Sequence, residues 1–419
     1  MSHNKAIGCS TQYHYSCAIC LSLDCYWVCF TLQRERELSH QNLPVKMKML
    51  LVVGGMLAVG ASTADALGFA EFDHIANAST LYGAAGATAT IDANPALGFK
   101  PNIVFILTDD QDTRLSGSSD TYDKFGSLEA MPFTKQHFIE GGAHFSNAFV
   151  NTPICCPSRT EFFSGRYYHN IGPPNDVGGC MHVNTANAVK PQGMFKFLTD
   201  AGYNTGVFGK VTNDQGGILK ALAQQKAVNV IDSPLDYNNY EGLTYFHLDD
   251  DGKTYTETLD KDNPEFKTVY QTAQIGNRTL RWLETAVNKT DGSGSRVPFF
   301  AYVGPHAPHY PADPAPWYED AFPDLSIPIT PNYNHSCAKK PSHIRQNPPL
   351  SELALCWENQ HFRDRWRSLL SVDDLVSDIV SFLDDNNVLN ETFIFYSSDH
   401  GYKQVRSCFR LMACCRLGR

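Results

Sequence analysis

Residues 103–107 read Ile-Val-Phe-Ile-Leu, an unbroken apolar run that ends at Thr108-Asp109-Asp110. A strand exposed on one face alternates apolar and polar residues. A run without alternation fits a strand covered on both faces, as in a central parallel sheet. The carboxylates then stand at the strand's C-terminal end, where open α/β sheets bind ligands. The same pattern recurs at 393–397, which runs into Asp399. Between these ends the spacing predicts helices over 133–141, 194–201, 269–288 and 362–384, and strands over 144–150, 204–208 and 298–303. Residues 160–164 are expected to begin a helix, its N-terminus offering backbone N–H groups to an anion. Residues 211–265 and 310–350 are rich in Asp, Asn and Pro and read as long loops, the kind that shape a substrate site. Alternating strands and helices imply a layered α/β sheet.

A chain of 419 residues is long enough for a large core. Its net charge of −10 argues against general nucleic-acid binding, which needs a basic surface. An anionic substrate stays open, because a few Arg, Lys and His can make a local basic pocket in an acidic protein.

The ends read differently from the middle. Residues 47–66 carry a leading Lys48, a short apolar stretch and Ala64-Asp65-Ala66, the pattern of a secretory signal peptide. The stretch is too short for a stable membrane span. Residues 1–46, with Cys9, Cys17, Cys20, Cys25 and Cys29, are expected to be a non-native leader. Residues 67–97 read as a linker, and 404–419 as an aberrant tail. Secretion would carry the chain to an extracellular or a lysosomal or vacuolar destination. In that setting Cys337 and Cys356 are the expected disulfide, by closeness in sequence. Sequons at Asn77, Asn277, Asn288, Asn334 and Asn390 are glycosylation candidates.

The most distinctive segment is Thr152–Arg166, which contains Cys155-Cys-Pro-Ser-Arg159 and closes on Ser164-Gly-Arg166. It resembles the signature of the sulfatases, in which the first cysteine is oxidised to formylglycine. Four further segments resemble that family in its order: Lys100–Asp112 with Asp109 and Asp110, Gly202–Lys210, Ala307–His309, and Ser398–Gly401. The resemblance covers roughly residues 98 to 403, read as the N-terminal part of a catalytic domain. Details such as Arg166-Tyr-Tyr-His-Asn170 look like the glucosamine-6-sulfatase branch and its arylsulfatase relatives. The resemblance implies an alkaline-phosphatase-like α/β fold, with a mixed, mostly parallel sheet flanked by helices and its C-terminal part missing.

It also implies a chemistry. Asp109, Asp110 and Asp399, with the residue at 155 and His400, would hold one divalent cation, Ca²⁺ by resemblance. The histidine at 400 leaves Mg²⁺, Mn²⁺ or Zn²⁺ open. A formylglycine hydrate at 155 would attack sulfur through one hydroxyl, and loss of the other proton would re-form the aldehyde and expel sulfate. Arg159 would fix the hydrate. Lys210 and His309 would bind sulfate or protonate the leaving oxygen. His306 competes with His309 for that role, and Asn213 is a further candidate for substrate binding. A formylglycine-generating enzyme is an implied partner. The substrate would be an aryl sulfate or a 6-sulfated glucosamine-type sugar.

One departure qualifies the enzyme reading. The family supplies a second sulfate-binding lysine after the Asp-His-Gly segment, whereas Lys403 stands too close to Asp399 to match. The alternative is a truncated, inactive relative that still binds metal or sulfated glycan. A phosphatase or phosphonate hydrolase of the same superfamily is disfavoured by the complete 155–165 signature.

Overall fold

In the computed structural model, the residues described are 100–112, 130–145, 148–171, 193–260, 269–327, 333–334, 342 and 349–402. The backbone course of three more strands is also described: β1 (Ala18–Leu23), β2 (Tyr26–Gln33) and β3 (Lys48–Gly54). They form an antiparallel sheet in the order β1-β2-β3. Sequence reading assigned no strands there. The rest of the leader, the 67–97 linker, Asn77, Cys180, Cys337, Lys403 and the 404–419 tail lie outside the described residues.

The main sheet has seven strands in the order β10-β4-β9-β5-β6-β7-β8. Here β4 is Asn102–Thr108, β5 Asn204–Gly209, β6 Val230–Pro234, β7 Thr244–Leu248, β8 Thr254–Thr258, β9 Phe299–Gly304 and β10 Thr392–Ser398. Strands β10, β4, β9, β5 and β6 run parallel, while β7 and β8 add an antiparallel edge. The α/β class read from sequence is the class observed, with a mixed, mostly parallel sheet.

Both faces of the central strands are covered, which explains their unalternating sequence. On one face Phe105, Leu107, Val207 and Tyr302 pack against α1 (Cys155–Ser164), α2 (Met194–Asp200) and α3 (Gln215–Gln224). On the other, Val104, Ile106, Phe208 and Val303 pack against α4 (Gln271–Ala286) and α5 (Glu352–Asp385). Neighbouring residues of one strand thus serve opposite cores. Among the described residues no helix is long and apolar enough to cross a membrane.

Four local expectations are corrected. Residues 211–265 are not a loop, because they contain α3, β6, β7 and β8. β8 is mostly exposed, so its Thr-Tyr-Thr-Glu-Thr sequence lacks the apolar signal of a buried strand. Residues 144–145 and 148–150 are irregular rather than a strand. They are almost all exposed and have no face to bury. Helix α1 begins at Cys155, not near Thr160, since Pro157 falls in its first turn, where a missing N–H costs nothing. The proposed Cys337–Cys356 bridge also fails: Cys356 is a free, exposed thiol on the first turns of α5. Closeness in sequence does not aim two Cβ atoms at each other.

Candidate active site

The sheet register sets the site. Ser398 of β10 lies beside Thr108 of β4, and Gly209 of β5 beside Gly304 of β9. The residues that follow each strand therefore emerge at one level. They are Asp109 and Asp110 after β4, Lys210 after β5, His306 and His309 after β9, and Asp399 and His400 after β10. Gly209 has φ +97°, and a side chain there would run into the Gly304 backbone. That close approach keeps Lys210 beside the histidine loop. Helix α1 enters from the side, with Cys155 as its first residue and only 8% exposed.

Ligating atoms of Asp109, Asp110, Cys155 and His309 all lie within 4.8 Å of one another, and so do those of Asp109, Cys155, Asp399 and His400. His400 Nε2 is 3.3 Å from Cys155 Sγ and 3.2 Å from Asp110 Oδ1. Asp399 Oδ1 accepts from the backbone N–H of Asp110 (3.1 Å) and of His400 (2.8 Å). Asp110 adopts φ 63°, a left-handed conformation that aspartate tolerates, and this turn keeps consecutive carboxylates in the same site.

The cations are buried as deeply as the carboxylates. Arg159 is fully buried, and its Nε donates to Asp399 Oδ2 at 2.8 Å. Its Nη1 donates to the Lys210 carbonyl (2.8 Å) and to the Tyr302 hydroxyl (2.9 Å). The Lys210 ammonium, also fully buried, is bound to Asp109 Oδ2. His306 Nδ1 approaches the same oxygen at 3.3 Å.

These neighbours split the three carboxyls. Burial alone would raise Asp109, but Lys210 and Arg159 overcome it and hold the carboxyl well below its usual range. Burial and the Asp109 charge raise Asp110. The same two causes push Asp399 up to about 6, in spite of Arg159. Burial lowers His309, but Asp109 and a hydrogen bond with Cys155 outweigh it, and the imidazole is pushed up to about 9. Burial takes His306 down to about 4, so it is neutral. Burial and Asp109 push the Cys155 thiol up, which makes an unmodified thiolate at this position unfavourable.

The donor set fits a hard divalent cation. Asp109 Oδ1 and Asp110 Oδ1 are buried without hydrogen-bond partners, and each lies in a group of carboxylate, sulfur and imidazole atoms close enough to share one ion.

Of the residues singled out from sequence, Cys155, Asp109, Asp110, Asp399, His400, Arg159, Lys210 and His309 are brought together. Asn213 is not among these contacts. Its carbonyl accepts from the Tyr237 hydroxyl at 2.7 Å, and the Tyr237 ring lies 5.0 Å from Lys210 Nζ. Among the sequons, Asn277, Asn288 and Asn390 are exposed, whereas the Asn334 amide is bonded to Leu350. Cys156, next to Cys155, is disulfide-bonded.

Sequence reading missed Tyr302 and Arg365, and named Ser158 only as part of the Cys155–Arg159 signature, with no role of its own. Tyr302 hides in the apolar run of β9 and donates to the Lys210 carbonyl at 2.7 Å. Ser158 Oγ donates to the Asp399 carbonyl. Arg365 Nη2 donates to the Asp110 carbonyl at 2.7 Å from the middle of α5. No local signal separates Tyr302 and Arg365 from ordinary core or helix residues, whereas Ser158 stands within the Cys155–Arg159 signature.

The family model described as Sulfatase matches residues 101–407. The chain is 32% identical over 314 residues to an N-acetylglucosamine-6-sulfatase of Capra hircus, covering 72% of this chain and 51% of that protein. It is 30% identical over 317 residues to an extracellular sulfatase SULF-1 homolog of Drosophila melanogaster, covering 74% and 26% respectively. The chain thus spans about half the length of the first of these relatives, and less of the second. A solved structure, described as a complex with its substrate D-glucosamine-2-N,6-O-disulfate, matches with TM-score 0.50 and 19% identity over 73% of this chain and 66% of that one. That likeness speaks for the fold alone.

Proposed function

The chain belongs to the sulfatase family, and on that premise we propose that it hydrolyses sulfate esters of 6-sulfated glucosamine-type sugars or aryl alcohols, using a formylglycine made from Cys155. The observation that carries this reading is the convergence of Cys155 with three carboxylates and two histidines that follow three strands, β4, β9 and β10. Glucosamine-type substrates are favoured over aryl sulfates by the similarity to N-acetylglucosamine-6-sulfatases. The formylglycine-generating enzyme is then an obligatory partner, and the compartment a secretory one.

Asp109, Asp110, Asp399 and His400 would hold a divalent cation, Ca²⁺ by its preference for oxygen ligands. When bound, it would offset sulfate charge and acidify a hydroxyl at residue 155. The remaining work falls to side chains. Arg159 fixes Asp399, so that one carboxylate stays put while charge shifts nearby. Lys210 brings a buried positive charge to where sulfate oxygens must sit. His309 is protonated at neutral pH, and the side chain is a quarter exposed, so it can give its proton to a leaving oxygen and recover one from solvent. Neutral His306 stands 3.3 Å from Asp109 Oδ2, the oxygen that also takes Lys210.

The test is sulfate release from glucosamine 6-sulfate by chain matured with a formylglycine-generating enzyme, together with mass spectrometry of the peptide containing residue 155. The expected peptide has lost sulfur and gained oxygen, and Cys155→Ala abolishes release. A matured protein that releases no sulfate from sugar or aryl esters would sink the proposal.

A further inference from the structure

Both loops that deliver site histidines continue at once into tyrosines: His309 into Tyr310, and His400 through Gly401 into Tyr402. Helix α5 sends Trp357 and His361, one turn apart, to the same place. Trp357 lies parallel on His361, with centroids 5.2 Å apart and 16° between planes. Tyr310 lies 6.2 Å from Trp357 and 5.6 Å from His361, and Tyr402 closes edge-on to His361 at 5.7 Å. Two of these rings are open to solvent, Tyr310 at 53% and Trp357 at 41%, while His361 beneath them is 4% exposed.

The rings are fixed to the site. His309 Nδ1 is 2.6 Å from the Tyr310 carbonyl. Arg365, one turn after His361, stands over the Tyr402 ring at 4.7 Å and donates to the Asp110 carbonyl. Within the cluster His361 Nε2 is buried without a partner, and so is Oε2 of Glu358, which follows Trp357 in α5 and lies near enough to Tyr402 to act on its charge. A dry protein contact would leave those atoms unsatisfied at a cost. A ligand with one apolar face and several hydroxyls suits both the open rings and the unmet polar atoms.

We propose that Tyr310 and Trp357 form a carbohydrate subsite that stacks on the apolar face of the pyranose ring bearing the scissile sulfate, with the His361 and Glu358 floor recognising a ring hydroxyl. The proposal rests on the sulfatase reading and adds the part of the substrate it grips. A bare alkyl sulfate has no ring to stack.

The experiment compares matured wild type with Tyr310→Ala, Trp357→Ala and the ring-keeping Tyr310→Phe and Trp357→Phe. KM for glucosamine 6-sulfate should rise about tenfold in each alanine variant, with a smaller fall in kcat, and stay within about threefold in the phenylalanine variants. Saturation-transfer NMR of glucosamine 6-sulfate on the same proteins reads binding without turnover. Its signal should weaken in the alanine variants and persist in the phenylalanine ones. Alanine variants with unchanged KM and unchanged NMR signal overturn the subsite while leaving the sulfatase reading intact. Phenylalanine variants as impaired as alanine overturn it too, because stacking would not be the role. If wild type releases no sulfate, the sulfatase reading fails, and the NMR series alone decides whether the rings bind the sugar.

Discussion

Arg159 and Asp399 meet Nε to Oδ2 at 2.8 Å with both side chains wholly inaccessible to solvent, 240 residues apart in sequence. This pair fastens helix α1, which carries Cys155, to the end of strand β10. Removing one partner of a buried pair leaves the other charge stranded, at about 3–5 kcal/mol. Arg159→Met is therefore expected to lower stability by that order, measured as the shift in urea midpoint at constant slope. A loss below about 1 kcal/mol would mean that the pair does not anchor the helix.

Asp109 takes the Lys210 ammonium on one oxygen and leaves the other buried without a hydrogen bond. Replacing it by Asn deletes a charge of the proposed cation site and strips Lys210 of its counter-ion in one step. Calcium affinity, read by calorimetry, should drop by about two orders of magnitude, since ligand charge sets affinity in such sites. Unchanged affinity in Asp109→Asn would exclude the carboxylate as a ligand.

How much of this was legible follows from where each residue gets its signal. Strands β4 and β9 are largely buried, so their sequences are apolar nearly throughout and announce themselves, and β10 carries a shorter apolar run, Phe393–Tyr396. The charged residues just past them are conspicuous because such runs stop there. Helix α1 gives no such signal. It is buried nearly all round, so it shows no polar face to mark its period, and its Cys-Cys-Pro start looks like a loop. The β7–β8 hairpin was equally hidden. β8 is exposed on both faces, and the Asp249-Asp-Asp-Gly252 turn was read as loop composition rather than as the hairpin turn it is. Tyr302 shows the deeper limit: its neighbours in the fold, Arg159 and Lys210, lie far away in the chain. The register of β5 against β9 brings Lys210 to it, and helix α1 brings Arg159.

That tyrosine offers a third test. Its hydroxyl accepts from Arg159 and donates to the Lys210 carbonyl, so it bridges two of the buried cation-bearing residues. Tyr302→Phe keeps the ring packed against Phe163 and Phe195 and removes only the bridge. An Arg159 donor is left unsatisfied, at about 1–3 kcal/mol. The thermal midpoint should fall accordingly, and sulfate release should fall with it if Arg159 drifts. A Tyr302→Phe protein as stable and as active as wild type would show that the hydroxyl bridges nothing of consequence.

Glu358 makes the fold sensitive to pH from outside the catalytic cluster. It is 3% exposed, one of its oxygens has no partner, and burial pushes its carboxyl up to about 7 against an ordinary 4.5, with Arg365 only partly opposing. Between those values the folded chain holds a proton that the unfolded chain has lost. Stability from this group is then fully present below 4.5 and is lost as pH rises through about 7. Glu358→Gln keeps the shape and stays neutral at every pH. Its thermal midpoint relative to wild type should therefore climb as pH rises from 5 to 8. The check is a series of thermal melts of both proteins across that range. Parallel curves would mean that Glu358 is ionised in the fold, and that the floor beneath Trp357 and Tyr310 carries a charge.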